Sequence, residues 1–188
     1  MKVSKRGEYA LRALIDLGIA QEVGRKLVQV SELADSEQIP IKFLEQIMQL
    51  LKQARFVESR RGKLGGYRLV QPAQKITVGQ VVRLIDGPLA PISCVSQSAY
   101  VRCSCPDEAH CGLRMLMLDV RNAIAGILDR YSLADVVEVT LRKMRRDGIP
   151  LPFTRPAPAG EQTPAASPGA RLQPIEGLID NLLGDYAI

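Results

Sequence analysis

Apolar residues recur at helical spacing along most of the first 140 residues, and polar or Gly-rich stretches separate the runs. The first run predicts a helix over residues 5–21, whose apolar stripe comprises Leu11, Leu14, Ile15, Leu17 and Gly18. A second helix is expected to begin after Ser31, a favourable N-cap residue, with Glu32 in its first turn. A third is expected to begin with Pro40 in its first turn, and its buried face comprises Phe43, Leu44, Ile47, Met48, Leu50 and Leu51.

A different pattern follows the third helix. Residues 56–70, FVESRRGKLGGYRLV, predict two strands around a Gly-rich turn. The turn and its flanks are basic, since they carry Arg55, Arg60, Arg61, Lys63 and Arg68. Two short helices joined by a tight turn form a helix-turn-helix, and a basic hairpin directly after them suits a DNA-binding wing. The sequence therefore predicts a winged helix-turn-helix.

Two more helices are predicted beyond the wing. One begins after Thr77 and is expected to complete the winged-helix core. The other runs over residues 113–131, with apolar positions Leu116, Val120, Ala123, Ile124, Ile127 and Leu128. Because this long helix is too apolar to be solvated alone, we expect it to pair with its twin in a homodimer, which would place two recognition helices ~34 Å apart. The alternative is that it packs back on its own domain.

The expected fold class is mainly α with a small β-hairpin wing, divided into four regions. Residues 1–90 form the winged helix-turn-helix, residues 91–112 a cysteine-rich loop, and residues 113–148 the dimerisation helix with a following helical segment. Seven of the twelve prolines lie between Pro150 and Pro174, so residues 149–188 are expected to be a disordered tail. The terminal stretch IEGLIDNLLGDYAI has helical spacing and is a candidate docking helix for a protein partner.

Charge and composition narrow the classes of function. The net charge of +5 comes from residues 1–75, which hold 14 Lys or Arg against 8 Asp or Glu. A basic excess confined to the predicted DNA-binding region fits a polyanionic partner. No apolar run approaches the ~20 residues that a membrane helix needs, and no secretion signal is evident, so a cytoplasmic protein is expected. Neither a nucleophile–base pair nor a nucleotide-binding loop is found, so we do not expect an enzyme.

All four cysteines and the single histidine lie in residues 94–111. A disulfide is not favoured in a cytosolic protein, and cysteines within one short loop would connect nothing distant. Structural zinc usually shows paired C-x-x-C units, which are absent here. Burial does not account for cysteines in a loop rich in Ser, Pro, Asp and Gly. An iron–sulfur site is the remaining interpretation.

Three stretches resemble one bacterial family. They are YALRAL in the first helix, FLEQIMQLLKQARFVESRRGKLGGYRL across the recognition helix and wing, and ITVGQVVRLIDG before the cysteines. They resemble the Rrf2 family of transcription regulators, which includes IscR, NsrR and CymR, over residues 1–140. The resemblance implies a homodimeric repressor that binds a partly palindromic operator in double-stranded DNA. The positions that it implies at the DNA are Lys5, Ser31, Pro40, Ile41, Lys42, Glu45, Arg60, Arg61, Gly62, Lys63 and Tyr67.

The resemblance also implies how the cysteines are used. Some family members hold an iron–sulfur cluster, with two or four irons, in a pattern of three cysteines five residues apart, followed after two residues by histidine. Cys94, Cys105 and Cys111 are the expected ligands, with Cys103 next and Glu8 or His110 as alternatives for the fourth.

This sequence departs from the family's cysteine pattern at three places. Ten residues separate Cys94 from Cys105, Cys103 is additional, and Arg114 stands where the histidine belongs. Arginine cannot ligate iron. Control by iron, redox state or nitric oxide is expected. The alternative is a cluster-free regulator controlled by a protein partner or by thiol oxidation.

Overall fold

The computed structural model describes residues 2–62 and 64–154. Within those ranges the chain forms six helices and one antiparallel hairpin. Their bounds in chain order are α1 Lys5–Glu22, α2 Val30–Glu37, α3 Ile41–Gln53, β1 Val57–Arg60, β2 Gly66–Leu69, α4 Val78–Asp86, α5 Gly112–Arg130 and α6 Leu133–Arg146. None of the described helices is long and apolar enough to cross a membrane. The mainly α fold with a hairpin is confirmed.

The hydrophobic core is built around α1, which contacts α2, α3, α4, α6 and β2. Small residues let these neighbours approach it closely: Gly7, Ala10, Ala13, Gly18 and Ala20 are all buried on this helix. A Cβ atom at Gly18 would lie 2.6 Å from Cγ2 of Val137 on α6. The absence of a side chain at Gly18 therefore sets how closely α6 approaches α1.

The second helix begins earlier than the sequence predicted. Gln29 precedes α2 as its N-cap, and its N–H donates to Oε2 of Glu32 at 2.9 Å. Glu32 is itself held by Arg25 at 2.7 Å. Ser31 lies inside the first turn, so its prediction as N-cap was wrong, because the Glu32 carboxylate satisfies the chain entry two residues upstream.

The turn of the helix-turn-helix is built by three consecutive residues. Gln38 adopts a left-handed conformation with φ 51°, and its side-chain amide donates to the Asp35 carbonyl at 2.7 Å. Ile39 is buried, which fixes the turn against the core. Pro40 occupies the N-cap position of α3, one residue before the predicted first turn, and its carbonyl accepts the N–H groups of Phe43 and Leu44.

The remaining helices close the core from the other side of α1. Thr77 starts α4 with a capping box to Gln80, which confirms the predicted start. Arg83 on α4 forms two hydrogen bonds of 2.6 and 2.7 Å with Asp129 on α5. The chain then turns at Ser132, and α6 returns to the winged-helix core, where Leu133, Val137 and Leu141 are buried. This return was not anticipated from the sequence.

The chain divides into one compact unit up to Thr154 and a second over residues 155–188. Leu151 and Phe153 pack against the core, so chain order continues past the predicted boundary at residue 149. The rest of the predicted Pro-rich tail and its terminal docking helix lie outside the described residues.

A polar junction joins α1 to the end of α2. Arg12 pairs with the Glu37 carboxylate at 2.5 Å and also donates to the Glu37 carbonyl. Asp16, one turn further along α1, is 3% exposed, and its Oδ2 has no hydrogen-bond partner within the described structure. Burial, followed by the negative charge of Glu37, raises the pKa of Asp16 to about 7.

Gly18→Ala is expected to destabilise the protein by about 1–3 kcal/mol, because the added methyl group overlaps Val137. At an unhindered helical position the same change would stabilise by up to about 1 kcal/mol. Urea unfolding measures the difference. Adding Val137→Ala, which removes the clashing Cγ2, should recover part of the loss, and strictly additive effects would contradict the contact.

Asp16→Asn is expected to stabilise the protein at high pH. The folded-state pKa of Asp16 lies above the ordinary 3.8, so the native state binds more protons between these values and stability falls as pH rises through that window. Asparagine removes this loss, so its advantage should grow by on the order of 2 kcal/mol between pH 4 and pH 8. Thermal unfolding at both pH values tests this, with Asp35→Asn on exposed α2 as control. An equal effect at both pH values would refute it.

Candidate nucleic-acid interface and cysteine loop

The outward face of α3 presents polar side chains in a continuous row. Lys42, Glu45, Gln46 and Gln49 are exposed on the side opposite the buried Leu44, Ile47, Met48 and Leu51. Ile41 at the start of the helix is also exposed, at 44%. Such a face can donate to and accept from base edges, and an exposed apolar residue can contact a thymine methyl group. Gln46 and Gln49 were counted in the sequence only as solvated positions, since helical spacing does not separate a reading face from a solvated one.

Aromatic and ionic contacts fix the orientation of α3 against α1. Phe43 meets Tyr9 edge to face, with ring centroids 5.8 Å apart. The Arg12 guanidinium lies 5.4 Å from the centroid of the same tyrosine ring and pairs with Glu37. Arg12 and Tyr9 thereby connect both helices of the helix-turn-helix to α1.

The hairpin is placed beside α3. Its strands pair Val57 with Leu69 and Arg60 with Gly66 at the two ends of the register. The Lys52 ammonium at the end of α3 donates to the Ser59 hydroxyl at 2.6 Å. Burial, together with the charge of Glu45, raises the pKa of Tyr67 on β2. Glu45 and Tyr67, which were predicted separately, are therefore neighbours across the helix and the wing.

A third extended segment supports the wing at its base. Val28 exchanges two backbone hydrogen bonds with Tyr67, of 3.0 and 2.8 Å. A Cβ atom at Gly66 would lie 2.5 Å from the Val28 carbonyl oxygen, so this approach requires glycine. The GG pair of the sequence thus fixes the wing to the segment before α2.

The wing turn carries unpaired positive charge. Arg60 and Arg61 are exposed, and neither forms an ion pair with a described carboxylate. Gly62 has φ 109°, a conformation that favours glycine, and Leu64 is 88% exposed. Lys63, also predicted at the DNA, lies outside the described residues. The outer side of the hairpin continues into an open groove of about 330 Å³, which Lys26 and Arg68 line together with Arg60.

Two other predicted DNA contacts lie apart from this row. Lys5 is exposed at the start of α1, where it pairs with Glu8 at 2.8 Å. Ser31 is half-buried in the first turn of α2. Both remain predictions.

The four cysteines are brought together in the loop between α4 and α5. Cys94 is buried in a short 3₁₀ turn, Ser93–Val95, and the other three thiols are half-buried. They interact in series, Cys94 with Cys103, Cys103 with Cys105, and Cys105 with Cys111. Across the described residues, no group of three or more His, Cys, Asp or Glu side chains is arranged around a single point for a metal ion.

The thiols share their protons unequally. Hydrogen bonds from Cys105 lower the pKa of Cys103, whereas hydrogen bonding to Cys103 and its charge raise the pKa of Cys105 to about 11. Burial, with contributions from Cys103 and Glu108, raises the pKa of Cys94. Thiolate character therefore concentrates on Cys103 in this arrangement.

The loop ends at the start of α5 on a cysteine. Cys111 is the N-cap residue, and its sulfur accepts the N–H of Arg114 at 3.4 Å. A helix N-terminus favours negative charge, so this position supports a thiolate at Cys111.

Arg114 does not point to solvent. Its Nε lies 3.1 Å from Oε1 of Glu108 and donates to the Cys94 carbonyl at 3.3 Å. Tyr100 donates its hydroxyl to the same carboxylate, 2.9 Å from each oxygen. Glu108 was not singled out from the sequence, because an isolated acidic residue in a polar loop has no distinguishing pattern.

The two alternative fourth ligands have other partners. Glu8 contacts Lys5 and Arg12 on its own helix. The His110 ring is 85% exposed and pairs through Nδ1 with Asp107 at 2.7 Å. In this structure both side chains are engaged in surface ion pairs.

Comparisons with known proteins agree with this architecture. The model of the Rrf2 family, described as iron-dependent transcriptional regulators, matches residues 3–139. An rrf2-like HTH-type transcriptional regulator of Rhodobacter capsulatus is 37% identical over 139 residues, which span 72% of this chain and 91% of the relative.

Solved structures give the same result. The structure of CymR, the global cysteine regulator of B. subtilis, aligns with a TM-score of 0.62 at 28% identity, over 73% of this chain and 97% of CymR. IscR of T. potens aligns with a TM-score of 0.58 at 26% identity, over 74% of this chain and 88% of IscR. These relatives are regulators rather than enzymes, as the motifs predicted, and the chain belongs to the Rrf2 family of transcriptional regulators.

Proposed function

We propose that this regulator is a homodimeric repressor in the cytoplasm whose binding to operator DNA is controlled by an iron–sulfur cluster in the cysteine loop. The observation that carries the proposal is the gathering of four thiols between α4 and α5, within the same compact unit as a DNA-reading surface. The signal would be iron, redox state or nitric oxide.

The DNA-reading part rests on α3 and the wing. The row from Lys42 to Gln49 would enter the major groove, where Lys42 and the two glutamines can donate to base edges and Glu45 can accept from cytosine. Arg60 and Arg61 would contact phosphates or the narrow minor groove beside it. Members of this family bind DNA and typically act as dimers.

The dimer part rests on α5. Leu113, Met115, Leu116, Val120 and Ile127 are exposed along this helix. Its inner side is fixed by Arg114 to the Cys94 carbonyl and by Asp129 to Arg83. A twin helix would cover the apolar side and produce the two-fold arrangement that a partly palindromic operator requires.

The cluster part rests on the donor chemistry of the loop. Thiolates are the usual ligands of iron–sulfur clusters, and the side-by-side arrangement of Cys94, Cys103, Cys105 and Cys111 supplies them within one loop. Cys94, Cys105 and Cys111 would hold the group, with Cys103 next. When bound, the cluster supplies redox-active iron whose charge and integrity depend on the signal. The thiols do not converge on one point here, so loading requires the loop to rearrange.

A cluster-free regulator of the same fold is the second candidate. The likeness to CymR favours it, and so does the lowered pKa of Cys103, which suits a thiol that reacts with oxidants. In that case thiol oxidation, or a protein bound by the tail, would control operator binding.

The cluster proposal predicts a coloured protein after anaerobic purification, with iron and sulfide in stoichiometric amounts. Cys94→Ala, Cys105→Ala and Cys111→Ala should each lose most of the bound iron. His110→Ala, whose ring is exposed and paired with Asp107, is the matched control and should keep it. A wild-type protein that stays colourless after reconstitution with iron and sulfide would refute the cluster. Operator binding by that protein that then responds to peroxide would support thiol control.

The wing proposal predicts salt-dependent operator binding that requires Arg60 and Arg61. Replacing both by Ala removes two phosphate neutralisations and should lower the slope of log affinity against log salt by about 2. Fluorescence anisotropy at several salt concentrations measures that slope. Arg142→Ala on α6, an exposed arginine paired with Glu138 at 2.5 Å, is the control. An unchanged slope in the double variant would exclude the wing from the interface.

A further inference from the structure

The three departures from the family's cysteine pattern meet at one carboxylate. The extended stretch after Cys94 supplies Tyr100 and Cys103, and Arg114 stands in place of the family histidine. Tyr100 and Arg114 both bind Glu108, and the charge of Glu108 acts on Cys103 and Cys94. The departures therefore converge on a single side chain.

Glu108 is held inside the loop rather than on its surface. Its side chain is only 16% exposed, whereas the neighbouring Asp107 side chain is 58% exposed. Tyr100 lies 2.9 Å from both carboxylate oxygens, and the Arg114 Nε lies 3.1 Å from Oε1. The backbone of the same residue also takes part, because its carbonyl accepts the N–H of Cys111 at 3.4 Å.

A carboxylate beside thiols is unfavourable unless a cation comes between them. Thiols that react with oxidants usually lie in electropositive surroundings that stabilise the thiolate. Here the charge nearest to Cys94 and Cys103 includes a carboxylate that opposes ionisation of both. Bound iron would reverse this effect, because its positive charge stabilises thiolates and carboxylate together.

We propose that Glu108 is the non-cysteine ligand of the cluster in this chain, with Arg114 and Tyr100 as positioning residues that hold its carboxylate at the thiols. The inference rests on the cluster of the proposed function and names its fourth ligand. A carboxylate oxygen takes the place that an imidazole fills in the family pattern. Such an oxygen is a harder ligand than thiolate and gives iron a position that exchanges more readily.

The competing ligands fit less well. Glu8 is engaged by Lys5 and Arg12 on α1, and His110 turns its ring to Asp107 with 85% exposure. Of the three non-cysteine candidates, Glu108 is the one whose charge reaches two of the thiols. Cys103 remains available as an additional thiol next to it.

The decisive variant is Glu108→Gln in the anaerobically reconstituted full-length protein. The amide oxygen can still accept from Tyr100 and Arg114, so the loop keeps its hydrogen bonds while the anionic ligand is lost. We expect a changed visible spectrum, a changed electron paramagnetic resonance signal of the reduced cluster, and iron release to a chelator at least about tenfold faster. Glu108→Asp should retain much of the wild-type behaviour. Glu138→Gln on α6 is the matched control and should equal wild type.

Rescue provides a second test. Arg114→His in the Glu108→Gln background restores an imidazole at the family position and should slow iron release toward the wild-type rate. Far-UV circular dichroism of each variant checks that the fold is kept, and Glu108→Asp carries the test if the glutamine variant does not fold.

The outcomes separate this inference from the proposed function. Wild-type protein that binds a cluster, together with a Glu108→Gln variant of unchanged spectra, would overturn the ligand assignment and leave the cluster standing. Faster iron release with unchanged spectra would make Glu108 a positioning residue only and would also overturn it. Wild-type protein that takes up no iron and sulfide would refute the cluster itself.

Discussion

The close packing of helices around α1 is the constraint on which the rest of this structure depends. Buried glycines and alanines along α1 allow α3, α4 and α6 to approach it at once. At Gly18 and Gly7 a single added carbon would collide with Val137 of α6 or with the Asp86 carboxylate after α4. Because interiors are packed to crystal-like density, these contacts fix the relative placement of the reading helix and the helices that flank the cysteine loop.

The polar groups then adjust what the core has placed. Arg12 connects the end of α2 to α1 and lies over Tyr9, whose ring meets Phe43 on the reading helix. At the other side of the unit, Arg83 and Arg114 hold α5 to α4 and to the cysteine loop. Partly exposed ion pairs contribute little to stability. Their value here is geometric, since each one determines an orientation between two helices.

In the proposed function, the same packing gives the cysteine loop a mechanical connection to the DNA-reading surface. The loop joins α4 to α5, α4 packs on α1, and α1 packs on α3. At the start of α1, Ser4 donates its backbone N–H and its hydroxyl to Asp86, the last residue of α4. A change that reorders the loop would therefore act on both the dimer helix and the support of the reading helix.

The sequence by itself determined the helices, the wing and the family, because hydrophobic spacing, turn glycines and local motifs are properties of neighbouring residues. It placed α1, α3, α4 and α5 within one or two residues of their bounds. Only the tertiary structure decided that Glu32 moves the start of α2 to Gln29, that α6 returns to α1, and that Arg114 and Tyr100 gather Glu108 among the thiols. These three features depend on side chains that are brought together by packing, and no period along the chain records which of them will meet.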